Sequence, residues 1–247
     1  MNFETSDRIK FAASVLAAAI LSSGLTLGLY KVGGGLAARA GNAITVTGTA
    51  SENATADNAV WSLNLNESQK TLASSVNKID TSADALKKYL ITGGITEDQI
   101  ELGPINSNAI MEFINGNQTG RILGYQAYRT VTVRTKDVKL VSKLSNDIGS
   151  LLATGVNVGN YGPAYYLSTL DTMRAKLLAS AMKDAQDRAK AITEAVGGQV
   201  GGLLSVSSGP TQVTTKNSLD RAAGGIYDVS TIEKTDNVTL SASFKTK

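Results

Sequence analysis

The chain contains no cysteine and no histidine. Without cysteine, no disulfide can staple it and no lipobox thiol can carry a lipid. Zinc sites built from Cys or His are excluded, and so are the Ser-His-Asp and Cys-His nucleophile systems. It also lacks a surplus of either charge. The 247 residues carry 24 Lys and Arg against 21 Asp and Glu, a formal net charge of +3. Arg8, Lys10, Lys31 and Arg39 face only Glu4 and Asp7 in the first 40 residues, so 20 basic and 19 acidic residues remain beyond them. That near balance does not describe a nucleic-acid-binding surface. The densest basic run, Arg129, Arg134, Lys136, Lys139 and Lys143, reads as a solvated strand edge and helix face.

What the chain does have is one long apolar run. Phe11–Tyr30 holds no charge and is fenced by Lys10 and Lys31. As a helix it would span about 30 Å, the thickness of a bilayer's hydrocarbon core. Two readings stand. It is a retained anchor, or a signal peptide cleaved after Ala38-Arg39-Ala40, before Gly41. The run exceeds the about 7–15 residues of a signal's apolar region, which favours the anchor. Residues 1–10 are then a short cytoplasmic N-terminus, 11–30 a transmembrane helix, 31–43 a Gly-rich linker and 44–247 an extracytoplasmic domain. Cleavage near Ala40 would instead give a secreted protein. Ser14, Ala17, Leu21, Gly24 and Gly28 fall on one face of the span, with a GxxxG that lets helix backbones approach closely. They are the candidates for helix association in the membrane.

Beyond the linker the periods alternate between two and 3.6. Strands are expected at Ile44–Thr47 and Ala59–Asn66, with Trp61, Leu63 and Leu65 on one face. Thr71–Ile91 reads as a helix with the stripe Leu72, Val76, Ile79, Ala83, Leu86 and Leu90. Two long strands follow, Ile100–Phe113 and Arg121–Thr135, turning at Asn115-Gly116-Asn117. In the second, Tyr125, Ala127, Thr130 or Val131, and Val133 alternate with one expected slip. A helix over Val138–Leu152, a strand over Val156–Leu167 and a long helix over Leu170–Val196 come next. The long helix buries Leu178, Ala181, Ala185, Ala189 and Ile192. Val200–Ser207 and Asn237–Lys245 are the last strands. Thr211–Lys234 between them is polar and aperiodic, a mobile or partner-contacting arm. The fold class is α+β: two related halves of antiparallel sheet covered by helices, preceded by one transmembrane helix.

The motif search yields no convincing chemistry. Ser75-x-x-Lys78 and Ser180-x-x-Lys183 lie inside amphipathic helices, with no partner motif. The glycine pairs at 93–94, 197–198 and 201–202 follow helices and act as stops rather than phosphate loops. Glu97, Asp98 and Glu101 read as solvated. No catalytic, cofactor-binding or metal-binding residue is assigned. Tyr161, Tyr165 and Tyr166, clustered around Gly162-Pro163, are candidates for a subunit contact, because tyrosine pairs an apolar body with a polar tip.

In the order and spacing of its soft motifs the chain resembles the SIMPL-domain proteins. They are Ile44-Thr-Val-Thr-Gly48, Gly94-Ile-Thr-Glu-Asp-Gln-Ile100, Gly124-Tyr125, and Arg174, Ala181, Asp184-Ala185, Arg188-Ala189, Gly197 and Gly201. Ala56-Asp57 stands where the family often has Pro-Asp. The resemblance implies an α+β fold, an extracytoplasmic location at the cell envelope or periplasm, no established enzyme activity, and, in some members, ring- or barrel-like homo-oligomers. The expected function is that of a non-enzymatic, membrane-tethered protein that self-assembles, with itself and the membrane as partners and no nucleic acid or small-molecule ligand. The alternative is a monomeric envelope binding module that engages a partner through residues 211–234, linked to stress tolerance.

Overall fold

The computed structural model describes residues 42–247. The run 11–30, with Ser14, Ala17, Leu21, Gly24 and Gly28, lies outside the described residues. Among the described residues no helix is long and apolar enough to cross a membrane. The chain forms two compact units. One comprises, among the described residues, 42–49, Ala181–Ser208 and Leu240–Lys247; the other comprises Ala50–Ser180 and Gly209–Thr239.

The larger unit is built on two antiparallel strands, β2 (Asn58–Gln69) and β5 (Asn117–Thr135). Their ladder runs from Ala59 opposite Thr135 to Gln69 opposite Tyr125. β3 (Ile100–Leu102) and β4 (Asn106–Ile114) pair with β5, and β6 (Val158–Asn160) and β7 (Ala164–Tyr166) pair with β2. Trp61, Leu63 and Leu65 alternate on the buried face as expected, joined by Ala127, Val131 and Val133. The expected slip in β5 does not occur. Arg129 holds the in-phase position, donating to the Gly103 carbonyl at 2.8 Å and pairing with Asp80 at 3.0 Å.

Helix α1 (Leu72–Thr92) covers that face. Thr71 caps it by accepting from the Ser74 amide, and Gly94 beyond its end adopts a φ of 105° that favours glycine. Ile79, Ala83, Leu86 and Leu90 are buried, but Leu72 is exposed and Ser75 and Ser82 complete the stripe. Both serines tie helix to sheet: Ser75 donates to the Tyr125 carbonyl at 2.7 Å, and Ser82 to the Glu67 carboxylate at 2.6 Å.

Three expected elements are interrupted. Gly103-Pro104 separates β3 from β4, and Gly162-Pro163 separates β6 from β7; proline has no N–H to give a ladder. The expected helix over Val138–Leu152 is α2 (Val138–Asn146) and α3 (Gly149–Leu152), with Asp147 as the C-cap of the first. At the hairpin tip Asn115 and Gly116 have φ of 52° and 82°, the pair of positive values a type I′ turn requires.

The other sheet centres on β1 (Ala43–Thr55) and β11 (Glu233–Thr246), with β8 (Val200–Ser208) and β9 (Gln212–Thr215) on the far side of β11 and β10 (Ile226–Tyr227) parallel to β9. The α+β class with largely antiparallel sheets therefore holds. The sheets do not follow as successive halves, because the first strand pairs with the last; alternation marks a strand but not its partner.

Helix α4 (Leu170–Ala195) belongs to the smaller unit from Ala181 onward, and there it lies against Gly48 of β1. The buried line advances in strict fours through Leu177, Ala181, Ala185, Ala189 and Thr193. The expected Leu178 is only part-buried and Ile192 is 51% exposed, so both belong to the flank. The expected pairs Asp184–Arg188 and Lys190–Glu194 form, at 2.9 and 3.8 Å. Alanine is needed because the backbones nearly touch: a Cβ on Gly48 would sit 2.0 Å from the Ala181 carbonyl oxygen and 2.7 Å from the Ala185 Cβ. Gly48→Ala should therefore lift the helix and cost about 1–3 kcal/mol, read as a lower urea midpoint at unchanged slope. An unchanged midpoint would show that this approach is not close in solution.

Candidate functional site

The three tyrosines do not form one cluster. β7 alternates, so Tyr165 and Tyr166 point to opposite faces. Tyr165 is a core residue whose amide donates to the Val229 carbonyl at 2.8 Å, which removes it from the expected contact surface. The ring of Tyr166 stacks on Tyr227 with centroids 6.1 Å apart. Tyr161 stands 89% exposed on the other side of Gly162.

The segment 211–234 is largely built into the larger unit. β9 pairs with β11, the Asp228 amide donates to the Val213 carbonyl at 2.8 Å, and the Ala56 amide to the Ile232 carbonyl at 2.9 Å. What remains arm-like is the turn around Asn217 (φ 66°), with Leu219 91% exposed.

β11 also carries two fully buried charges. Lys234 donates to the Asp228 carbonyl at 2.5 Å and lies 3.4 Å from its carboxylate, which Ser230 and Thr231 also bond. Burial pushes the Lys234 ammonium below the usual lysine range, and Asp228 opposes that shift. Neither carboxylate oxygen of Asp236 has a hydrogen-bond partner, nor does Nε of Arg174. Burial pushes Asp236 above the ordinary aspartate range; Arg174 opposes that shift and Glu52 adds to it. Neither charge was foreseen. The signal was present: carrying the phase of Val238, Leu240, Ala242 and Phe244 backwards places 236 and 234 on the buried face.

The serines matched to lysines hold no base. Ser75 is committed to the Tyr125 carbonyl, and Lys183 pairs with Asp187 at 2.7 Å. A cleft of about 820 Å³ is bordered by Arg134, Lys136, Asp137 and Tyr166. Arg134 faces Glu101 at 3.7 Å, and Asp137 caps α2 through the Leu140 amide. It contains no nucleophile–base pair.

Two surfaces stand out instead, each an exposed apolar stretch on a sheet edge. In the smaller unit, among the described residues β8 pairs only with β11, setting Leu203 opposite Phe244 and Val206 opposite Ala242. Opposed residues share a face, so both lie on the side of the sheet where Phe244 and Ala242 are buried. Leu203, Leu204 and Val206 are nonetheless about half exposed, as is Ile192 on the helix flank. In the larger unit, the tip of the β4–β5 hairpin exposes Phe113, Ile114, Ile122 and Leu123. The spacing predicts β8 as a strand and the hairpin as two strands turning at Asn115-Gly116-Asn117, but alternation does not report which face lacks cover.

The model of the SIMPL family, described as a protein of unknown function (DUF541), matches residues 44–244. No curated protein matches the chain. Among solved structures, a de novo designed protein, Foldit4, is similar at 12% identity and a TM-score of 0.20, over 45% of this chain and 98% of that one. A hydantoinase/carbamoylase family amidase from Burkholderia ambifaria is similar at 14% identity and a TM-score of 0.24, over 45% of this chain and 30% of the amidase. An uncharacterized conserved protein from Listeria innocua is similar at 9% identity and a TM-score of 0.20, over 77% and 91% of the two chains. These likenesses are too slight to bear on function.

The buried charges are testable through pH. A carboxyl raised by folding costs stability as pH rises from the unfolded to the folded value, and the cost persists above both. Asp236→Asn should therefore unfold at the same temperature as the parent or higher at pH 7, and the gap should close in acid below the ordinary aspartate range. A variant less stable at pH 7 by more than about 1 kcal/mol would mean that attraction to Arg174 outweighs burial. For Lys234, folding lowers the value, so the parent gains stability as pH rises through it. Lys234→Met should match or exceed the parent at pH 7 and lose that margin in strong alkali, by thermal melts across pH.

Proposed function

The chain belongs to the SIMPL family, and on that premise we propose that it is a non-enzymatic, membrane-tethered protein of the cell envelope that assembles with itself outside the cytoplasm. The observation that carries the reading is the β8 edge, whose outer side no strand among the described residues pairs and which carries half-exposed Leu203, Leu204 and Val206. A free edge with apolar side chains is a template for another strand. The run 11–30 supports the tether, and tethering raises the concentration at which weak edges meet. The internal commitments of Ser75, Lys183, Lys234 and Asp137 support a scaffold rather than a catalyst. A second reading, a monomeric binding module, draws on Leu219, the most exposed large apolar side chain among the described residues.

Native mass spectrometry of full-length protein extracted gently from membranes tests both. A discrete assembly of uncleaved chains is expected, and Val206→Lys should reduce it to smaller species. A single chain beginning at Gly41 would end the tethered-assembly reading, and the search would move to a partner for the Leu219 turn.

A further inference from the structure

Beyond Gly124 the β4–β5 hairpin is a ribbon of two strands. β2 ends its pairing at Gln69 opposite Tyr125, and β3 pairs only with Val131, Thr132 and Val133. Outward from there, Ile110 faces Gly124, Met111 faces Ile122, and Ile114 faces Asn117. A two-stranded hairpin alone is marginal in water; a third strand or a cover is needed for independent stability. This ribbon instead exposes Phe113, Ile114, Ile122 and Leu123.

Its two outer edges are not equivalent. Between Ile110 and Met111 the partner strand advances two residues, and between Met111 and Phe113 it advances four. Both irregularities thus place the extra residues in β5, including Gly120 at φ 83°. Bulges twist an edge away from further pairing. β4 stays a regular nine-residue strand whose outer side no other strand among the described residues occupies.

The occupant follows from charge and from the tip. The only charged residues between Asn106 and Gly124 are Glu112 and Arg121, which pair at 3.2 Å, with Thr119 donating to Glu112 at 2.9 Å. A polyanion or an anionic headgroup would find no free charge to meet. Insertion into a bilayer would bury Asn115, Asn117 and Gln118 before any apolar residue, at the cost of unmet amide hydrogen bonds. A neutral edge of apolar and amide side chains is matched by an identical one, which meets it without repulsion.

We propose that β4 is a second assembly edge, separate from β8, which pairs antiparallel with β4 of a second copy across a two-fold axis. The two ribbons then make one four-stranded sheet, and the contact is isologous. This rests on the self-association reading but uses a different surface, so either can fail alone. Two distinct edges on one chain also allow assemblies larger than a dimer.

The absence of cysteine makes the test direct, since one introduced thiol can cross-link only with its own copy. Ser107→Cys, Ala109→Cys, Met111→Cys and Phe113→Cys, with Leu219→Cys as a control, would be oxidised mildly in the membrane-extracted full-length protein. The expected result is covalent dimer peaking at one or two neighbouring β4 positions, at least tenfold above Leu219→Cys. Should wild type be assembled while no β4 position exceeds the control, this inference falls and self-association stands. A monomeric wild type overturns both. Where a cysteine variant does not assemble, hydrogen exchange of the unmodified protein decides: residues 107–113 should exchange roughly tenfold or more slowly in the assembly than in the dissociated chain, and equal rates would overturn the proposal.

Discussion

The larger unit depends on a mismatch in length between two strands. β2 and β5 share one antiparallel ladder, and β3, β4, β6, β7 and α1 all hang on it. β2 must stop at Gln69 because Thr71 already caps α1, and Ser75 of that helix bonds the Tyr125 carbonyl at the last rung. β5 begins at Asn117, well before that rung. The surplus can pair only with β4, so an unsupported ribbon is the unavoidable result of where the helix begins. The exposed side chains of Phe113 and Ile122 are thus placed by the same contact that closes the core.

A comparable constraint acts in the smaller unit. Gly48 and the alanines at 181 and 185 bring helix and sheet so close that a single added carbon would collide with backbone. Close approach buries apolar surface with small side chains, but a narrow helix face covers a narrow strip. Val46, Leu240, Ala242 and Phe244 are buried, whereas Leu203 and Val206 on the neighbouring strand are about half exposed. The bare edge of β8 is therefore the counterpart of tight packing over β1. Filling that space from within the chain would need a second helix, which the described residues of this unit do not include.

Much of this architecture was legible because periodicity reports burial. Trp61, Leu63 and Leu65, the α1 residues Ile79, Ala83, Leu86 and Leu90 and the run Val238 to Phe244 follow from spacing, and Asn115-Gly116 follows from turn stereochemistry. The failures share one cause: local pattern carries no information about distant partners. Arg129 sits in phase with apolar neighbours because Gly103 and Asp80 receive it. Thr193 rather than Ile192 is buried because its hydroxyl bonds back to the Ala189 carbonyl. Segment 211–234 lacked a period because backbone bonds to β7 and β2 neighbours, not a hydrophobic face, hold it. Lys234 and Asp236 differ in part: the phase of β11 points them inward, but only their distant neighbours, Asp228 and Arg174, show that a charge is kept there. A one-residue slip of β11 against β9 would carry Lys234 away from Asp228, so this pair penalises wrong register even where it adds little stability.

Sheet edges that invite partners also invite aggregation, and the chain treats its edges unequally. The β5 side of the ribbon is bent by extra residues and a left-handed glycine, whereas the β4 side is straight. Had selection acted only against association, both sides would benefit from the same irregularity. Short edges of this kind bind weakly in dilute solution, because ordering side chains offsets much of what apolar burial contributes. Confinement changes that balance. Chains fixed to one membrane meet at effective concentrations far above those in bulk, so contacts too weak to assemble free domains suffice for tethered ones. On the proposed tethered reading weak edges would be a means of control: assembly would depend on the tether, and domains released from it would disperse.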